Sequence, residues 1–173
     1  MDIYLMGYMG SGKTTIGQRL AKQIGYTFVD YDQFIVEKEK MSIPAIFESK
    51  GEIYFRKKEA LYLKEILQET NTKKIVALGG GTPCYGSNLQ EIKESGVLSI
   101  YLNVPVPELT DRLWEAKSER PVIAGQESKE ALEEFVRKHL FERAFYYNQA
   151  GKVIKVQGQS EAAIVEEIVA ALF

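Results

Sequence analysis

Gly7-Tyr8-Met9-Gly10-Ser11-Gly12-Lys13-Thr14 decides the fold of this chain. The pattern is Gly-x-x-x-x-Gly-Lys-Thr, a phosphate-binding loop in which each part has a physical task. Gly10 and Gly12 leave room for phosphate oxygens and accept backbone angles that a side chain resists. Successive backbone N–H groups converge on an anion at a helix N-terminus, where the helix dipole already favours negative charge. Lys13 brings a positive charge to the outer phosphates, and the Thr14 hydroxyl suits Mg²⁺. An ordinary glycine-rich turn is the competing reading, but it would not need the flanks found here. Upstream, Ile3-Tyr4-Leu5-Met6 is a short apolar strand; downstream, Ile16, Leu20, Ala21 and Ile24 recur at helical spacing.

Working outward, the strand–helix alternation continues. Apolar runs predict strands at Ile3–Met6, Thr27–Val29, Lys74–Leu78, Val97–Leu102 and Val153–Val156. Helical spacing fills most of the gaps: Lys13–Ile24, Gln33–Lys40, Ile43–Ser49, Glu52–Glu69, Leu89–Ser95, Pro107–Ala116, Lys129–Tyr146 and Glu161–Leu172. Short apolar strands separated by helices indicate an α/β fold, with a parallel sheet covered on both faces. Ligands in such folds sit at the carboxyl ends of the strands. There is no internal repeat and no linker, so residues 1–173 read as a single domain.

Bulk properties narrow the function. Lys and Arg number 22 against 24 Asp and Glu, a net charge of −2, which argues against a nucleic-acid partner held by bulk positive charge. Cys84 is the single cysteine, so neither an intramolecular disulfide nor a cysteine-rich zinc site is expected, and a cytoplasmic setting fits. A strand begins at once, leaving no signal peptide in view. The apolar tail from Ala162 to Phe173 is short and broken by Glu166 and Glu167, so it reads as an amphipathic helix and no membrane partner is expected.

Four further features carry chemistry. Asp30-Tyr31-Asp32 follows the second strand, and on an extended chain alternation points both carboxylates the same way. One could serve Mg²⁺ and the other a substrate hydroxyl; capping of the next helix by Asp32 is the plainer alternative. Gly79-Gly80-Gly81 follows the third predicted strand, either as a loose connection or as a place where backbone meets a small oxygen-rich ligand. Arg56 has Glu52 and Glu59 on its own helix face, and Arg143 sits late in a helix; both read equally as structural charges or as anion-binding forks. The polar stretch Glu115–Glu127 reads as a surface loop or as a lid that keeps water from the transferred phosphate, with Arg120 inside it as an in-chain arginine finger. His139, the single histidine, reads as structural, and nothing marks Cys84 as a nucleophile.

Taken in order along the chain, these features resemble the shikimate kinase family. Gly7–Thr15 is similar to its phosphate loop, Asp30-Tyr31-Asp32 to its Asp-x-Asp pair, and Phe55-Arg56 with Glu59 to its substrate-binding segment. Gly79-Gly80-Gly81, Arg120-Pro121 and Glu142-Arg143 with Tyr146-Tyr147 resemble the remaining family elements. Ala144-Phe145 and Val122-Ile123 depart from the family's usual Pro-Leu and Leu-Leu. The resemblance implies a nucleoside-monophosphate-kinase-like fold, a three-layer α/β/α arrangement with strand order 2-3-1-4-5. It implies substrate-binding helices over about 31–70 and a lid over about 112–127. It implies transfer of the γ-phosphoryl of ATP to the 3-hydroxyl of shikimate, by a monomer. By position, Gly10, Ser11, Gly12, Lys13, Thr14 and Thr15 would cradle ATP, and Thr14 and Asp30 would serve Mg²⁺. Asp32 would hold the accepting hydroxyl as candidate base. Arg56 and Arg143 would clamp the carboxylate beside Gly79, Gly80 and Gly81. Arg120 would stabilise the phosphates, and Arg112 and Gln159 would flank the adenine. A gluconate-type kinase and a catalytically silent nucleotide-binding regulator are the competing functions; the full set of charged site residues argues against the second.

Overall fold

The computed structural model describes residues 1–173 except Thr70, Ser118, Glu119 and Pro121. The last three fall in the expected lid and Thr70 ends the expected substrate-binding helices, so those parts of both expectations lie outside the described residues. The elements run β1 (Ile3–Met6), α1 (Lys13–Ile24), β2 (Thr27–Asp30), α2 (Tyr31–Glu39), α3 (Ile43–Gln68), β3 (Lys74–Ala77), α4 (Asn88–Glu94), β4 (Leu98–Asn103), α5 (Val106–Glu115), α6 (Lys129–Tyr147), β5 (Lys152–Lys155) and α7 (Glu161–Leu172). A 3-10 turn, Thr82–Cys84, follows β3 and was not foreseen from periodicity, being too short to show any.

All five strands are parallel and lie in the order β2-β3-β1-β4-β5. β1 and β3 are buried at every position, as strands covered by helices on both faces must be. β1 has β3 on one side and β4 on the other, so the chain reverses direction across the sheet there. A crevice opens at such a point, outside the carboxyl ends of the strands. The phosphate loop leaves β1 into it.

Two boundaries differ from expectation in ways that matter for the site. β2 runs one residue further, to Asp30, which pairs with Ala77 of β3. Tyr31 then turns inward, fully buried, and its hydroxyl donates to the Glu59 carbonyl. That inward turn starts α2 two residues early, so Asp30 rather than Asp32 caps it, its Oδ1 accepting from the Gln33 N–H at 3.2 Å. In α3 the two predicted helices run together with a kink at Gly51, whose φ of 85° and ψ of 169° belong to glycine alone.

Candidate active site

The phosphate loop takes the form its glycines allow. Gly10 and Gly12 have φ of 78° and 94°. Gly12 caps α1 with no side chain, which leaves the first N–H groups of that helix for a ligand. Lys13 folds back over the loop, its Nζ donating to the Gly7 and Tyr8 carbonyls at 2.8 and 3.1 Å. Burial pulls its pKa down to about 8, against the pull of Asp32 and with the help of Arg120 and Arg143. Ser11 Oγ is buried without a partner among the described residues, a free hydroxyl in the wall of the cradle.

The loop forms one side of a cleft of about 660 Å³. Asp30 and Asp32 line it, though not by strand alternation: Asp30 closes β2 and Asp32 stands in the first turn of α2. Thr14 Oγ1 donates to Asp30 Oδ2 at 3.4 Å, so a hydroxyl and a carboxylate meet at the loop. Hard oxygen ligands in that number suit Mg²⁺, which takes its remaining positions from phosphates and water. They do not suit a metal held wholly by protein, and no cluster of three or more His, Cys, Asp or Glu exists among the described residues. Asp32 lies deeper. Burial and the neighbouring Asp30 push its pKa up to about 6, with Lys13 pulling it the other way.

The triglycine turn is where the candidate substrate residues meet. A Cβ at Gly79 would stand 2.7 Å from Asp32 Oδ1, one at Gly80 would stand 3.3 Å from Arg143 Nη1, and one at Gly81 would stand 3.0 Å from both Nη atoms of Arg56. None of the three has a positive φ, so what favours glycine there is the close approach of these side chains and not backbone angle. Gly79 and Gly80 face the cleft; Gly81, Arg56 and Arg143 do not line it and lie past the turn. Arg56 Nη1 donates to Glu59 Oε1 at 2.8 Å, and the second oxygen of Glu59 accepts from Thr82 Oγ1 at 2.9 Å. Asn88 Nδ2 donates to the Thr82 carbonyl at 2.8 Å, and the buried Tyr147 hydroxyl donates to the Gly80 carbonyl, fixing the turn from both sides.

At the far end of the cleft, Arg112 donates to the Gly10 carbonyl at 3.0 Å and pairs with Glu108 at 2.8 Å. Gln159 lines the cleft just before α7, held by the Gln157 N–H at 3.0 Å. Arg120 also lines the cleft, from the segment between α5 and α6 that Ile123, fully buried, ties to the core.

Other residues fall where sequence had less to say. His139 is hydrogen-bonded through Nδ1 to the Tyr8 hydroxyl at 2.9 Å, which joins α6 to the phosphate loop. Burial pushes the Cys84 thiol up to about 11, so it is no ready nucleophile. Thr82, Tyr85 and Asn88, all around the 3-10 turn, escaped the sequence reading because no periodicity marks them; their one signal is position directly after the glycines.

A phosphate cradle facing an acid across the cleft, with cations on both sides, serves phosphoryl transfer to a small molecule, and the class is that of the P-loop kinases. A family model described as shikimate kinase matches residues 9–173. A shikimate kinase of Flavobacterium psychrophilum is 44% identical over 173 residues, covering 99% of this chain and 98% of its own. The crystal structure of shikimate kinase from Bacteroides thetaiotaomicron matches with a TM-score of 0.90 at 30% identity, over 99% of this chain and 98% of its own. Shikimate kinase from Acinetobacter baumannii, solved in complex with shikimate, matches at 0.85 and 31% identity, over 99% and 92%. The chain belongs to the shikimate kinase family, as an ATP-dependent phosphotransferase with an alcohol as acceptor. The family's strand order is the one observed. No helix among the described residues is long and apolar enough to cross a membrane.

Proposed function

We propose that this chain carries the γ-phosphoryl group of ATP to the 3-hydroxyl of shikimate by way of the cleft between the phosphate loop and the triglycine turn. The observation that carries this reading is the turn itself, where Asp32, Arg143 and Arg56 press on three successive glycines. A ring acid with one carboxylate and several hydroxyls needs such a set: two guanidinium forks for the carboxylate and an acid for the reacting hydroxyl. The shikimate bound to the Acinetobacter baumannii relative supports the same choice of acceptor.

In this mechanism Gly10, Ser11, Gly12, Lys13, Thr14 and Thr15 hold the phosphates, while Arg112 and Gln159 flank the adenine. Arg56 and Arg143 clamp the carboxylate and so aim the ring. Asp32 accepts the proton of the attacking hydroxyl, which a carboxylate with a pKa raised to about 6 does well near neutral pH. Lys13 and Arg120 meet the charge that spreads over the transferred group. Thr14 and Asp30 would hold Mg²⁺, which when bound neutralises phosphate charge. Positioning and electrostatics supply most of the acceleration, and loss of one such charge costs about 3–4 kcal/mol of barrier, a few hundredfold in rate. The accompanying reading is a monomer in the reducing cytoplasm, where Cys84, the single cysteine, stays a thiol.

A coupled ADP-release assay across shikimate, quinate and gluconate tests the proposal. Turnover on shikimate is expected, lost with EDTA and restored by added Mg²⁺. Turnover on gluconate alone would overturn the acceptor assignment.

A further inference from the structure

We infer that Tyr85 is a positioning residue for Arg56: its ring fixes the plane of the guanidinium so that one edge of the fork is held ready for a planar carboxylate. This rests on the proposed role of Arg56 as carboxylate clamp. The Arg56 Cζ stands 3.7 Å from the centroid of the Tyr85 ring, and 5.1 Å from that of Phe55. Nη1 is taken by Glu59, itself held by Thr82. A side chain at position 81 would crowd the fork, since a Cβ built on Gly81 would stand 3.0 Å from both Nη atoms.

What remains is the edge formed by Nε and Nη2. Nε is buried and has no hydrogen-bond partner among the described residues; the Glu52 carboxylate stands 3.9 Å away, outside hydrogen-bond reach. A buried N–H left unpaired is costly and draws an acceptor. A carboxylate meets a guanidinium in plane through two parallel N–H···O bonds, so the orientation of that plane decides whether the fork is usable. Stacking on an aromatic face fixes the plane and keeps water and ligand off that side. The chain delivers Tyr85 by means of the 3-10 turn Thr82–Cys84, which folds back directly after the glycines; the Asn88 N–H bonds the Tyr85 carbonyl at 3.2 Å and holds the turn.

The test compares steady-state kinetics of Tyr85→Ala, Tyr85→Leu and Tyr85→Phe, with thermal midpoints alongside. Loss of the stack is expected to raise the KM for shikimate about tenfold, with kcat and the KM for ATP unchanged. Tyr85→Leu keeps apolar bulk without a π face and should behave like Tyr85→Ala; Tyr85→Phe keeps the stack and should behave like the parent. An unchanged KM for shikimate in Tyr85→Ala, or a parent-like Tyr85→Leu, overturns the inference. So does a lowered thermal midpoint with both KM values shifted alike, which is the mark of a merely structural residue. A double-mutant cycle separates stacking from direct contact: on an Arg56→Lys background, Tyr85→Ala should cost nothing more, whereas an undiminished further loss would mean that Tyr85 touches the substrate itself. Arg56→Lys with an unchanged KM for shikimate would overturn the clamp reading; a loss there with none in Tyr85→Ala overturns the positioning role alone.

Discussion

Asp32 and Lys13, both lining the cleft, are displaced in opposite directions by one leading cause, loss of hydration among the groups around them, so each resists being charged. In the proposed mechanism Asp32 works ionised and Lys13 works protonated. Hence kcat/KM should fall as pH drops through about 6 and fall again as pH rises through about 8. A pH profile of kcat/KM for shikimate measures both limbs, and a flat profile across the acid side would remove Asp32 as base. The same displacement has a stability consequence. The folded state holds the Asp32 proton more tightly than the ordinary value of 3.8, so stability falls as pH rises from there through about 6. At neutral pH the ionised side chain therefore destabilises the fold. Asp32→Asn should raise the thermal midpoint at pH 7 while slowing turnover by ~10²–10⁴-fold, and the gain should vanish near pH 4. The triglycine gives another residue-scale test. Gly79→Ala crowds Asp32 and should lower kcat, whereas Gly81→Ala crowds Arg56 and should raise the KM for shikimate.

Among the elements, α2 and α3 depart most from what periodicity foretells. Helical spacing does not reveal that Tyr31 must bury against the Glu59 carbonyl, and that demand moves the start of α2 and hands the cap to Asp30. One consequence is that Asp30 answers two donors, the Gln33 N–H and the Thr14 hydroxyl, and so ties the head of α2 to the phosphate loop. The kink at Gly51 separates the Phe47 end of α3 from the Arg56 end, although the two rings Phe47 and Phe55 still meet at 4.8 Å. A Cβ at Gly51 meets nothing within 4 Å, so Gly51→Ala should cost stability through the backbone alone. The expected loss is about 1–3 kcal/mol, read from urea unfolding midpoints.

For the whole molecule, the proposed function calls on the nucleotide end of the cleft, which Arg112 of α5, Arg120 of the segment after it and Gln159 line. Trp114 stands at the root of that segment, partly buried, with Lys117 Nζ 4.9 Å above its ring. Movement of the proposed lid changes the surroundings of this single indole. Its fluorescence should shift when ATP and shikimate are both present, and an unchanged spectrum would count against a hinge there.

The sequence by itself determined the phosphate loop, the parallel sheet and the positions of nearly all the helices. These are written in spacing: four residues of apolar strand, a glycine-rich turn, then apolar positions at helical intervals. It also carried the charged residues now found around the cleft, but not how they are held. That Gly79, Gly80 and Gly81 each answer to a different helix, and that Tyr85 covers Arg56, was decided only by the tertiary structure. The Tyr8–His139 bond, which spans 131 residues of chain, is of the same kind. Such contacts join segments that share no periodicity, and they form only once the sheet has brought the ends of its strands to one edge.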